Sequence, residues 1–296
     1  MRARTLAAVL LAGGLALTAC GKEGTPGDTG GTAPSQAAAT DVKIEGSPTF
    51  DKIKTRGRVV IGVKEDQPGL GFKDPTTNKY SGFDIEIAKL MAAKIGYSED
   101  KIDYKAIASA GREQALINGD VDYYVGTYTI NAGRKEKISF AGPYYTAGQD
   151  LLVRTDETTI TGKDTLKGKK VCSITGSTPI KKVRDEGLTE PENITELQTY
   201  SQCVAKLADK SVDAVTTDDA ILKGFAAQEP GKFKVIGKPF SLEPYGIGLA
   251  KDDTVLRGKF FDILEAALKD GTWQTIYDNT LGKSGSAATK PIIERY

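Results

Sequence analysis

The chain contains no histidine. That absence removes the commonest general base, the usual activator of a serine or cysteine nucleophile, and the favoured zinc ligand. Hydrolase triads and histidine-based metal sites are excluded, while catalysis by paired carboxylates, lysine or tyrosine stays open on composition. Charge of one sign is missing too: 40 basic side chains stand against 39 acidic ones, a formal +1, with no long run of either kind. A nucleic acid or an anionic membrane surface demands a concentrated basic field, so neither is indicated as a partner. No tandem repeat of solenoid period occurs. What remains is the profile of an ordinary globular protein, 296 residues and 39% hydrophobic, with room for one large or two modest domains.

At the amino terminus, Arg2 and Arg4 precede a mostly apolar run over residues 5–17 that is too short to span a bilayer comfortably. It ends in Leu17-Thr18-Ala19-Cys20, small residues directly before a cysteine, which resembles the bacterial lipoprotein signal. The resemblance implies a signal peptide over residues 1–20 and acylation of the Cys20 thiol, anchoring the chain to the outer face of the cell membrane. Two or more acyl chains make such an anchor stable. Residues 21–47 are rich in Gly, Thr, Pro, Ala and Ser and read as a flexible tether. With Cys20 lipidated, Cys172 and Cys203 remain, and an oxidising compartment favours a disulfide between them; two buried free thiols are the alternative. Closing a loop of about thirty residues would add roughly 3 to 4 kcal/mol of stability on the chain-entropy account.

From Arg58 onward, short apolar runs alternate with helical spacing, the pattern of an α/β body with mostly parallel strands. A strand is expected over residues 58–63, a helix over 83–95, then strand 102–107, helix 111–117 and strand 121–125. A second series covers strands at 151–153, 170–174, 194–197, 212–216 and 233–236. The segment at 246–250, with an amphipathic helix over 253–269, reads as closing the first unit.

Several blocks in order carry a family resemblance. Tyr80-Ser81-Gly82-Phe83-Asp84-Ile85-Glu86-Ile87-Ala88 contains a Gly-Phe-Asp segment after the first strand. Asn118-Gly119-Asp120-Val121-Asp122 is followed by Thr127-Tyr128-Thr129-Ile130 and by residues 134–145, Arg-Lys-Glu-Lys-Ile-Ser-Phe-Ala-Gly-Pro-Tyr-Tyr. Over residues 50–281 the chain resembles the family 3 extracellular solute-binding proteins, receptors of polar amino-acid ABC importers. The resemblance implies a bilobal type II binding-protein fold, two α/β lobes joined by a two-strand hinge, with ligand trapped between them on closure. Lobe 1 is expected over 48–148 and 241–296, and lobe 2 over 149–240. The crossings fall near Gly148-Gln149-Asp150 and Lys238-Pro239-Phe240.

A free amino acid carries a carboxylate and an ammonium on one carbon, and a closed cleft must pair both. Arg134 falls at the family's α-carboxylate position, where a planar guanidinium suits bidentate capture, and Thr127 and Thr129 match contacts to the same ligand. Taken alone, Arg134 in its mixed-sign run would be a solvated helix cation. Thr175-Gly176-Ser177-Thr178 follows a strand and opens a helix, so its N–H groups can face an anion; Gly176, Ser177 and Thr178 are implied contacts. Asp218 aligns with the carboxylate that receives the ammonium, with a helix N-cap as the plainer role.

Side-chain specificity is expected from Lys64 and from Arg112 beside Ser109, which match basic positions of glutamate/aspartate receptors. A second ligand carboxylate would pair them, whereas glutamine would leave a buried cation short of a partner. Phe72, Tyr128 and Tyr245 are candidate apolar walls. The expected function is capture of an amino acid, foremost glutamate, with aspartate, glutamine and asparagine open, for delivery to an ABC permease. No cofactor, metal or nucleic acid is called for, and a monomer suffices. A secreted dehydratase of the cyclohexadienyl type and an amino-acid-sensing lipoprotein are the rival readings.

Overall fold

The structure is a computed structural model that describes residues 36–284 and 289–296. The signal peptide and the lipidation expected at Cys20 lie outside the described residues. Two five-stranded sheets form the body. In the first, strands run in the order Ile102–Ala106, Val59–Val63, Tyr123–Val125, Glu243–Leu249, Ser139–Ala147. In the second the order is Ile194–Leu197, Val171–Ile174, Ala214–Asp218, Gln149–Arg154, Phe233–Val235.

Both sheets repeat one pattern: two parallel pairings followed by two antiparallel ones. By direction, four of the five strands in each sheet run the same way and one is reversed, Glu243–Leu249 in the first and Gln149–Arg154 in the second, so the expectation of mostly parallel strands holds. The reversed strand is in each case the one by which the chain enters that sheet from the other. The chain leaves the first at Ala147, enters the second at Gln149, and returns from Val235 to Glu243. Strands joined through a crossing cannot all point the same way as the βαβ strands they pair with. A small sheet of Asp66–Gln67, Gly71–Lys73 and Tyr80–Ser81, too short to show alternation in sequence, stands beside the first.

The tether expected to continue to residue 47 ends earlier. The Ala39 N–H donates to the Ala93 carbonyl at 2.8 Å, Ile44 is buried, and the Ser47 hydroxyl donates to Asp253 at 2.7 Å while capping the helix Pro48–Arg56. One apolar residue and one cap were enough to dock a polar segment, which composition alone does not register.

The Gly-Phe-Asp segment opens the helix Phe83–Lys94, whose residues 83–88 are all buried. Phe83 anchors an aromatic cluster, with ring centroids of Tyr144, Tyr145, Trp273 and Tyr277 at 5.8 to 6.0 Å. The Trp273 indole N–H donates to the Tyr144 carbonyl at 2.8 Å, tying the C-terminal helix Thr272–Asn279 to the long strand Ser139–Ala147. In the second lobe, Cys172 and Cys203 are joined, with Cα atoms 5.6 Å apart. The bond pins the helix Tyr200–Ala208 to its strand, and that helix starts with a capping box formed by Thr199 and Gln202. Tyr200, first residue of the pinned helix, faces the cleft described next.

Candidate functional site

The motif carboxylate Asp84 is fully buried, and its two oxygens accept from the Tyr144 hydroxyl at 2.8 Å and the Thr127 N–H at 3.0 Å. Burial pushes its carboxyl up to about 6 against those two bonds. The bond to Thr127 matters because Thr127 has φ 45°, a left-handed conformation that a β-branched residue resists. Such strain costs about 1 to 3 kcal/mol and persists only where surroundings enforce it. Here the Thr127 hydroxyl donates to Gln67 Oε1 at 3.1 Å, and its carbonyl receives Arg112 at 3.2 Å. The turn thus aims the chain from Thr127 to Thr129 into the space between the sheets.

That space is a narrow cavity between the two sheets. Seven of the ten residues singled out from sequence line it: Ser109, Arg112, Thr127 and Thr129 from the first lobe, and Ser177, Thr178 and Asp218 from the second. Pro179, Tyr200 and Ile221 complete the wall. Lys64, Arg134 and Gly176 stand one bond behind it. Lys64 donates to the Ser109 hydroxyl at 2.8 Å; Arg134 spans the Thr129 carbonyl at 2.7 Å and the Gly176 carbonyl at 3.1 Å. Arg134 is 8% exposed, which excludes the solvated-helix alternative.

Arg112 is 2% exposed and its partners are carbonyl oxygens, of Ser109 at 3.1 Å, Thr127 at 3.2 Å, Gly176 at 3.4 Å and Gly126 at 3.5 Å. Among the described residues no carboxylate pairs with it. Both guanidiniums lie over the Tyr128 ring, at 4.1 Å for Arg112 and 4.9 Å for Arg134. Arg134 does have an acid, Glu113 at 3.3 Å. Burial first, and then Arg112, bring the Arg134 guanidinium down to about 10. Burial, and then Arg112, hold the Lys64 ammonium down to about 7.

Asp218 provides the opposite charge. It stands at the N-cap position of the helix Asp219–Gln228, yet its carboxylate caps nothing. Oδ2 accepts from the Tyr245 hydroxyl at 2.6 Å, and Oδ1 is buried with no donor. Burial, followed by the nearby Glu243 carboxylate, pushes its carboxyl up to about 8. The helix-capping role is excluded for the side chain, which is directed to the cavity instead.

Two expectations need correction. The Thr175–Thr178 loop is expected to offer its N–H groups to an anion, and this narrows to Gly176 and Thr178, because the Thr175 and Ser177 N–H groups are used by the Leu197 and Ile174 carbonyls at 3.0 and 3.2 Å, while the Ser177 hydroxyl caps the helix Thr178–Asp185. Gly176 meets the first lobe through its carbonyl; with φ 79° and a built Cβ only 2.7 Å from the Ala110 Cα, only glycine fits. The aromatic walls also differ. Tyr128 and Tyr245 lie beneath the site, supporting the guanidiniums and Asp218, and Phe72 lines a separate rim groove with Pro68 and Gly224.

Sequence reading missed Tyr200, Pro179, Ile221 and Glu243. Tyr200 alone had a local signal, its place inside the capping box. Glu243 is 4% exposed, behind the wall.

Comparison with known proteins bears on this geometry. A sequence profile of the bacterial extracellular solute-binding proteins, family 3, matches residues 59–283. The glutamate-binding protein GluB of Corynebacterium efficiens is 39% identical over 293 residues, covering 96% of this chain and 91% of that protein. A glutamine-binding protein of Geobacillus stearothermophilus is 40% identical over 249 residues, 84% of this chain and 92% of its own. Among solved structures, an ancestral arginine-binding protein bound to glutamine is 35% identical with a TM-score of 0.70, covering 77% of this chain and 99% of that one. The two-sheet body is the bilobal type II binding-protein fold, and the matched span contains both sheets and every residue of the cavity wall. The chain belongs to the bacterial extracellular solute-binding proteins, family 3.

Proposed function

We propose that this protein captures glutamate between its lobes and delivers it to an ABC permease, without chemical turnover. One observation carries the reading: one cavity wall brings together a buried guanidinium whose partners are carbonyls, Arg112, and a buried carboxylate oxygen that lacks a donor, Asp218 Oδ1. A buried charge without a counter-charge costs several kcal/mol, and a zwitterionic amino acid supplies both partners at once. In this reading Asp218 takes the ammonium. Arg134, Arg112 and Lys64 share the two carboxylates, with Arg134 serving the α-carboxylate. Glu113 already offsets part of the Arg134 charge, so Arg112 and Lys64 together favour a second ligand carboxylate over an amide. The glutamate-binding relative supports this choice.

Glutamine is the second reading, supported by the glutamine-binding relative and by Lys64, whose ammonium, held to about 7, is half neutral near that pH and able to face an uncharged amide. Lipid anchoring through Cys20 would hold the receptor at the outer face of the membrane.

Isothermal titration of the protein from residue 36 onward, stripped of carried-over ligand, tests the proposal against glutamate, aspartate, glutamine, asparagine and arginine. One-to-one binding of glutamate that is weakened by Arg112→Ala supports it. Preference for glutamine would overturn the two-cation argument alone. Binding of none, with turnover of arogenate or prephenate, would establish the dehydratase instead.

A further inference from the structure

Glu243 begins the strand that returns the chain to the first sheet, and neither its sequence position nor the cavity wall marks it as part of the site. Three hydroxyls converge on it. Its Oε2 accepts from Thr129 at 2.8 Å and Thr178 at 2.6 Å, and its Oε1 from Ser241 at 2.7 Å. A hydroxyl has one proton and two lone pairs. Thr129 and Thr178, 3.4 Å apart across the lobes, have both protons committed to one carboxylate oxygen. What they can offer the cavity is lone pairs. Asp218 Oδ1, without a donor, lines the same wall.

We infer that Glu243 is a positioning residue that makes this end of the cavity selective for an ammonium, by turning the Thr129 and Thr178 protons away from the ligand. Elsewhere on the wall Arg112 brings a guanidinium, which can only donate, so the arrangement gives the bound molecule a direction. The inference rests on the amino-acid reading above and deepens it: the protein should discriminate an α-amino acid from the α-hydroxy acid of the same shape. Replacing Glu243 by leucine, of similar size and without an acceptor, leaves the Thr129 and Thr178 protons free to point at the ligand's ammonium.

The test is titration of the full chain with glutamate and with (S)-2-hydroxyglutarate, which keeps both carboxylates and lacks the cation. Wild type, Glu243→Leu, Thr129→Val and the double variant are compared. Glu243→Leu should weaken glutamate by about tenfold or more, the scale of one hydrogen bond to a charged group, and 2-hydroxyglutarate by less than about threefold. Thr129→Val should cost glutamate less in the Glu243→Leu background than in wild type, because the two residues act through one hydroxyl. Equal weakening of both ligands, as from a carboxylate that merely latches the lobes, or additive effects in the cycle, would overturn the inference. If Glu243→Leu does not fold, Glu243→Asp is read the same way, since its shorter arm cannot hold both threonines. A wild type that binds no amino acid would overturn the amino-acid reading and this inference with it.

Discussion

Gly224 separates what closes the cleft from what folds the lobe. It lies within the helix Asp219–Gln228 of the second lobe, and a Cβ built on it would overlap the Pro68 carbonyl of the first. Inside its own helix, alanine is favoured over glycine by about 1 kcal/mol. Against Pro68 the added methyl forces a backbone to shift, and overpacking of this kind typically costs about 1 to 3 kcal/mol. That cost falls only on the state in which the lobes touch. Gly224→Ala should therefore keep or raise the unfolding temperature of the ligand-free protein while raising the Kd for its amino acid about 5- to 150-fold. Differential scanning calorimetry without ligand and isothermal titration with it give the two readouts. An unchanged Kd would mean that the ligand is not held in the form in which Gly224 meets Pro68. A loss of ligand-free stability would mean that the contact is part of the fold itself.

Other changes are expected on the same grounds. Asp218→Asn should weaken binding by about 2 to 5 kcal/mol in titration, since the ligand's ammonium is left without its counter-charge, with little effect on the far-UV circular dichroism spectrum. Affinity should be greatest between about pH 7 and 8. Binding favours ionised Asp218, which Glu243 and Asp219 hold up to about 8 after burial, so affinity falls below that pH; it also favours charged Lys64, held down to about 7, so affinity falls above it. Titrations from pH 5.5 to 9.5 read both limbs, and a flat profile would refute the pairing of these two groups with ligand. Cys172→Ser with Cys203→Ser should lower stability by about 3 to 4 kcal/mol in denaturant unfolding, the loop-closure term for their separation of 31 residues.

Much of the body was legible in sequence because buried strands and amphipathic helices leave periodic traces. The strand Val59–Val63 and the helices Phe83–Lys94 and Thr254–Asp270 fall within one or two residues of expectation. The mostly parallel direction was legible, but the one reversed strand in each sheet was not, because that reversal is set by where the chain crosses between lobes and leaves no mark on composition. The docked stretch 39–47 was missed for a related reason: its stability comes from Ala93 and Asp253, partners far away in sequence. In the site, the residues with chemistry at motif positions were found, while Pro179, Tyr200 and Ile221 of the wall and Glu243 behind it were not. Asp84 was visible as part of a motif, yet its work of enforcing the strained turn at Thr127 required the fold. Glu243 lies beyond every motif, and only the convergence of three hydroxyls marks it.

The closed cleft without ligand carries its own electrostatic penalty, and that penalty explains why ligand should govern closure. Closing brings the Gly176 carbonyl of the second lobe against Arg112 and Arg134 together, at 3.4 and 3.1 Å. One carbonyl dipole is a weak partner for two guanidiniums that share one aromatic ring, and Arg112 already depresses Arg134. Closing also withdraws Asp218 from water with Oδ1 unbonded. A zwitterion entering the cavity removes both costs in one step, whereas a ligand with only one charge removes one and leaves the other. To move a two-state equilibrium from 1:99 to 99:1 takes about 5.5 kcal/mol of differential affinity. Two buried charges, each gaining a partner at about 2 to 5 kcal/mol, supply about 4 to 10 kcal/mol, a range that contains that amount, whereas one alone stays below it. The requirement for both charges is thus a requirement of the closing motion, and not only of the contacts that the ligand makes.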